Sequence, residues 1–241
     1  MRAALIFPPQ WDPRQPPLAP AVLAGALRSA ETDVRVFDLN IALYQSLLRP
    51  AGRHRIEDFL QKRLRDPQSL RNAESYLQAC QQTQKIFDER FDPHGSGRLF
   101  WDTCGGLPAT ANSQAWQNAI SEADKLPFVH HLADKIASIN EWQPDIICFS
   151  VISDTQLPAA LALAATLRSA LPKSRVVFGG NALTYRRSLL AGQTWLRSTI
   201  DAICLGDGEP LMAALAAGAT QSELPNSLSW NDDDKPFIGP N

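Results

Sequence analysis

Residues 145–151 read Asp-Ile-Ile-Cys-Phe-Ser-Val, a run in which only the first and sixth residues are polar. A strand with apolar residues on both faces has no solvent side, so it belongs in the middle of a parallel sheet with helices above and below. Its surroundings supply such a sheet. Arg2–Phe7 is a short apolar run stopped by Pro8 and Pro9. The segment from Leu18 to Ala30 places Leu18, Val22, Leu23, Ala26, Leu27 and Ala30 on one helical face, with Pro20 tolerable in the first turn. Asp33–Asn40 alternates in a strand-like way, which completes a βαβ unit. After the central run come a helix from Thr155 to Pro172 that is apolar around most of its circumference, a strand ending in Gly179-Gly180, and a helical stretch from about Leu183 to Leu190. The strand and loop Ile200–Glu209 and a short helix closed by Gly218 follow. The pattern predicts a doubly wound, five-stranded parallel α/β sheet of the Rossmann-like or flavodoxin-like kind, ordered 2-1-3-4-5.

The regular pattern is interrupted once. Residues 41–143 are mixed and polar, with helical pieces such as 55–66 and 75–91 around a Gly-, Pro- and Ser-rich stretch, 92–113. The expected division is therefore a core of 1–40 and 144–220, a mainly helical insertion of 41–143, and a C-terminal arm or linker of 221–241 with one short strand candidate. All four histidines lie in the insertion.

Charge and cysteine usage narrow the partners. A formal net charge of −2 gives no electrostatic footprint for nucleic acid or an anionic membrane. No apolar run approaches the ~20 residues a bilayer span requires, and proline breaks the N-terminal run too early for a secretion signal. A cytoplasmic chain is expected. The four cysteines form no Cys-x-x-Cys pair and no Cys-x-x-x-Cys-x-x-Cys run. Cys148 and Cys204 sit inside apolar strands, as small core residues do.

In an open α/β sheet ligands bind beyond the carboxyl ends of the strands, where strand order reverses. Here that edge carries Ser150, Ser153 and Thr155, then Gly179 and Gly180, then Gly206 and Gly208. Glycines admit close approach to the backbone, and hydroxyls beside a helix N-terminus suit an anionic group. Each feature alone is ordinary turn or cap chemistry; their convergence on one edge points to a ligand. No Gly-x-Gly-x-x-Gly follows the first strand and no Gly-x-x-x-x-Gly-Lys-Ser/Thr occurs, which argues against a dinucleotide or triphosphate site. The acidic residues of a receiver domain are missing as well.

The ordered set Pro8-Pro9-Gln10, the strand ending at Asp38, Ser150, Gly179-Gly180-Asn181 and Gly206-Asp207-Gly208-Glu209 resembles the N-terminal cobalamin-binding domain of cobalamin-dependent radical SAM enzymes. The resemblance covers about 140 residues of core and excludes the insertion. It implies a cobalamin (vitamin B12) whose nucleotide tail enters the sheet edge. Pro9 and Gln10 would flank the corrin, while Ser150, Ile152, Ser153, Asp154 and Thr155 would line its lower face and the tail entry. Gly179, Gly180 and Asn181 would border the tail, and Gly206, Asp207, Gly208 and Glu209 would close the pocket. It further implies a parent methyltransferase with methylcobalamin as methyl donor. The S-adenosylmethionine and [4Fe-4S] cluster would belong to a C-terminal radical SAM domain or a separate radical SAM protein, so this chain alone is not expected to catalyse. A stand-alone cobalamin carrier or sensor remains open. So does a degenerate scaffold that binds a partner or peptide.

One stretch, Asp92-Pro93-His94-Gly95-Ser96-Gly97, matches the Asp-x-His-x-x-Gly pattern that brings a histidine to cobalt in other cobalamin proteins. That pattern belongs directly after the first strand, whereas His94 lies in the insertion. Asp-Pro and Gly-Ser-Gly are turn formers in their own right, so the stretch reads as a turn, with His94 as cobalt ligand the lesser alternative.

Overall fold

The computed structural model describes residues 1–13, 15–49, 62, 66–93, 98–99, 104–105 and 113–240. The expected helix at 55–66 lies almost wholly outside these residues, and His94 lies outside them too.

The βαβ unit forms as expected from strand β1 (Arg2–Phe7), helix α1 (Ala19–Ser29) and strand β2 (Asp33–Asp38), with β2 parallel to β1. Helix α2 (Leu39–Leu47) starts at once, because the Asp38 carboxylate accepts the Ile41 N–H at 2.9 Å and caps it. Burial pushes the Asp38 carboxyl above its ordinary range, and backbone N–H groups of Ile41 and Asn40 partly oppose that shift. The chain continues through α3 (Pro67–Arg71) and α4 (Ala73–Arg90). A small hairpin of β3 (Arg98–Leu99) and β4 (Cys104–Gly105) follows, then α5 (Ser113–Ser121), α6 (Pro127–His131) and α7 (Ala133–Trp142). It re-enters the sheet at β5 (Ile146–Ser150), then α8 (Leu157–Ala170), β6 (Arg175–Gly179), α9 (Asn181–Thr184), α10 (Arg187–Ala191), β7 (Ala202–Cys204) and α11 (Gly208–Ala216).

Strand order is β2-β1-β5-β6-β7, all parallel, which is the predicted 2-1-3-4-5. The sheet does not end there. The tail, expected as an arm or linker, adds β8 (Ser227–Trp230) and β9 (Pro236–Ile238), both antiparallel, to give seven strands. All four β8 residues are buried, Leu228 and Trp230 within the main apolar cluster, and the Trp230 indole N–H donates to the Ala191 carbonyl at 3.1 Å. The polar Asn231–Lys235 segment, which reads as linker by composition, is the hairpin turn: the Asn231 side chain accepts from the N–H groups of Asp233 and Lys235.

Helix α8 is apolar all round because both its sides are covered, by the sheet and by α5. The segment between β2 and β5 shares one core with the sheet: Tyr44, Phe87, Phe91, Trp116 and Phe128 belong to the same buried cluster as Phe149 and Phe178. A second, smaller cluster lies on the opposite face, under α1 and α11. Among the described residues no helix is long and apolar enough to cross a membrane.

Candidate functional site

Successive strand residues point to opposite faces, so each central strand can carry two different surfaces. Toward α8 it presents Phe149 on β5, Phe178 on β6 and Ile203 on β7; the two phenyl rings pack with centroids 4.9 Å apart. Toward α1 and α11 the neighbours are Cys148, Val177 and Cys204, followed at the strand ends by Ser150, Gly179 and Gly206. Large residues close one face, whereas small ones leave a gap on the other. The gap is a cavity of about 350 Å³ that runs from the carboxyl ends of β5, β6 and β7 down between the sheet, α1 and α11.

Its floor is apolar and buried, made by Cys148, Val177, Cys204, Leu211 and Met212. Burial, then the neighbouring Cys204, pushes the Cys148 thiol up to about 12. Burial, then the Glu209 and Asp207 carboxylates, pushes Cys204 up to about 11. Both therefore stay protonated at neutral pH and act as small hydrophobes. The Cys204 thiol donates to the Asp207 carbonyl at 3.5 Å. The rim is of mixed character. Leu18 is 76% exposed and Val22 44% exposed, while Asn181, Asp207 and Glu209 supply polar groups. No lysine, arginine or histidine lines the cavity among the described residues. A carboxylate-bearing rim over an apolar floor does not suit a polyanionic nucleotide. It suits an apolar group.

Helix α1 departs from expectation here. Its predicted apolar face is not all core: Leu27 is buried and Leu23 and Ala26 are half-buried, but Ala30 is exposed, and Leu18 and Val22 are exposed at the cavity mouth; Pro20 and Ala24, outside the predicted set, are buried. The glycines also divide by role. Gly180 has φ +117°, and a Cβ there would collide with the Val151 carbonyl, so this glycine serves the close approach of two backbone segments. A Cβ on Gly179 would stand 3.3 Å from the Cys204 Cβ. Gly206, at φ +101°, has nothing within 4 Å of that position and keeps the mouth open. Gly208 clears the Leu23 side chain, where α1 and α11 meet.

Of the residues expected at the site, the structure brings Ser150, Ile152, Gly179, Gly180, Asn181, Gly206, Asp207, Gly208 and Glu209 to the cavity wall. Ser153, Asp154 and Thr155 lie beside it in a network that joins loops. Gln156 Oε1 accepts from the N–H groups of Ile152 and Ser153, and its Nε2 donates to the Pro8 carbonyl at 2.8 Å. The Thr155 hydroxyl donates to the Gln10 carbonyl at 3.1 Å. Asp154 forms an ion pair with Arg186. Pro9 and Gln10 are buried away from the cavity wall, and neither amide atom of the Gln10 side chain has a hydrogen-bond partner. Residues that sequence reasoning missed are Leu18, Val22 and Leu23 on α1, Cys148 and Cys204 on the strands, and Leu211 and Met212 on α11. The alternation of small and large residues along three consecutive strands was the available signal.

Residues 109–216 match the family model described as B12 binding domain. That match covers just under half of the chain. The chain is 28% identical over 109 residues to the hopanoid C-3 methylase of Methylococcus capsulatus, across 43% of this chain and 21% of that protein. The chain thus spans about a fifth of that relative's length. It is also similar to the structure of TsrM, a radical S-adenosylmethionine methyltransferase from Kitasatospora setae with tryptophan substrate and a SAM analogue bound. In that comparison the TM-score is 0.49 and the sequence identity 14%, over 99% of this chain and 30% of that one. Among the described residues no cluster of three or more His, Cys, Asp or Glu side chains is placed to hold a metal ion.

Proposed function

We propose that this chain holds cobalamin across the carboxyl ends of β5, β6 and β7, with the nucleotide arm in the cavity, as the cofactor-binding part of a radical SAM methyltransferase. The observation that carries this reading is the cavity itself, with its apolar floor, open glycine mouth and exposed leucine and valine at the rim. Exposed aliphatic side chains around a concavity suit an apolar ligand surface.

When bound, cobalamin supplies a cobalt that carries a methyl group. The chain's own residues bind and orient it. Cys148, Val177, Cys204, Leu211 and Met212 receive the aromatic end of the arm, and Leu18, Val22 and Leu23 shield its side. Ser150 and Asn181 offer polar atoms where the arm leaves the cavity, and the uncapped first turn of α11 presents backbone N–H groups beside Gly208. Among the residues expected along the lower face, Ile152 borders the cavity and has no side-chain donor atom, Ser153 is bonded to Thr155, and Asp154 is held by Arg186. The Gln156 network fixes the β1 and β5 loops on which the ring would rest. The sequence has no Cys-x-x-x-Cys-x-x-Cys run. S-adenosylmethionine and the [4Fe-4S] cluster therefore belong, in this reading, to a radical SAM domain or partner protein.

The test is reconstitution with hydroxocobalamin, desalting, and the visible absorption spectrum of the protein fraction. Near-stoichiometric retention is expected. Cys148→Leu, which fills the floor with an apolar side chain, should cut affinity at least about tenfold while unfolding stays cooperative. No retention by the natural chain, or equal retention by a folded Cys148→Leu variant, would overturn the reading.

A further inference from the structure

The chemistry of the cavity floor selects among cobalamin-like cofactors, which differ in the base that ends the nucleotide arm. We infer that Cys148, Val177, Leu211 and Met212 make this chain selective for a cobamide with an apolar benzimidazole base over one with a purine base. The inference rests on the cobalamin reading above and deepens it.

A purine such as adenine carries an exocyclic amine and several ring nitrogens that hydrogen-bond to water before binding. Groups of that kind must find partners when buried or lose affinity. The floor offers them nothing strong. Val177, Leu211 and Met212 bury carbon and a thioether, each about 1% exposed. The Cys204 thiol is already turned to the carbonyls of Gly206 and Asp207. The Cys148 thiol is a weak donor with no hydrogen bond among the described residues. The polar groups that line the cavity, Ser150, Asn181, Asp207 and Glu209, stand at the strand ends and the rim, not on the floor. A benzimidazole keeps one acceptor nitrogen, but its methyl or ring-carbon edge has no hydrogen bonds to lose on that floor, so it loses fewer than a purine and its burial is favourable. A site of this kind discriminates by leaving the wrong ligand's polar groups unpaired.

The experiment measures the affinity of the full chain for three corrinoids: hydroxocobalamin, its adeninyl counterpart, and cobinamide, which has no nucleotide arm. Absorbance change or intrinsic tryptophan quenching reads the binding. Cobalamin should bind at least about tenfold tighter than either of the others. Met212→Gln, close in volume but with an amide, should narrow the cobalamin-to-adeninyl ratio without changing cobinamide affinity. Cys148→Ser, nearly isosteric, should do the same if the first variant fails to fold. Equal affinity for the two complete cobamides, or an unchanged ratio in a folded variant, overturns the selectivity while the cobalamin reading stands. Cobinamide binding as tightly as cobalamin overturns the placement of the arm. If none of the three binds, the cobalamin reading falls, and the inference with it.

Discussion

The two faces of the central sheet use the same strands and the same backbone yet end in opposite states. Toward α8, Phe149, Phe178 and Ile203 share one buried cluster with the residues of that helix, and the packing is closed. Toward α1 and α11, Cys148, Val177 and Cys204 stop short of the helices at the carboxyl end, and a 350 Å³ space remains. The difference is the volume of alternate residues. One face is packed closed, and the other keeps open space. At the mouth of the second face Leu18 and Val22 are exposed, whereas residues of comparable size on the first face are fully buried.

This contrast breaks first at its largest residues. Phe178→Ala should cost about 3–5 kcal/mol of unfolding free energy, because the ring leaves a void in a face that cannot collapse. Cys148→Ala on the open face should cost about 1 kcal/mol, since it enlarges a space already present. Urea denaturation of both variants measures the gap, and similar losses would mean that the two faces are packed alike. The glycines give the next largest effect. Gly180→Ala should destabilise by on the order of 3 kcal/mol, combining a positive φ with collision against the Val151 carbonyl. Gly206→Ala meets only the conformational cost, about 1 kcal/mol. Thermal melts of the pair that coincide would remove the distinction between a packing glycine and a clearance glycine.

The smallest effect is a pH dependence confined to the open face. Both thiols lie above the ordinary 9.0 in the folded chain, at about 12 and about 11. Between pH 9 and those values the unfolded chain loses thiol protons that the folded chain keeps. Their contribution is therefore complete below pH 9 and is lost as pH rises, by about 1 kcal/mol per thiol at pH 10. Natural protein compared with Cys148→Ala at pH 8 and pH 10 should show a shallower loss in the variant. Parallel curves would place Cys148 in water and not on a buried floor.

Much of the fold was legible because it follows from local pattern. The run Ile146–Phe149 has no polar side, the Leu157–Leu167 helix is apolar all round, and Gly179-Gly180 ends a strand; the strand order followed from these. The tail was misread because Asn231–Lys235 has the composition of a linker and the bonding of a turn. The cavity was legible at its polar edge, Ser150, Asn181 and Gly206–Glu209, and illegible at its floor. Cys148, Leu211 and Met212 look like core residues in sequence, and they are buried like core residues. Nothing local tells that the space between them is unfilled. Leu18 and Val22 mislead in the same way, since the helical period that predicts a core face cannot tell a core from a cavity.

The amino-acid order by itself determined which segments are strands, which helices are buried, and which small and polar residues gather at one edge of the sheet. Each of these depends on periodicity and on residues close in the chain. Tertiary structure alone decided which glycines serve backbone contact and which serve access, that Asp154 is engaged by Arg186, and that small residues on β5, β6 and β7 combine with α1 and α11 to leave a cavity. A cavity is a difference between the volume that distant elements enclose and the volume their side chains fill, and no single segment contains that difference.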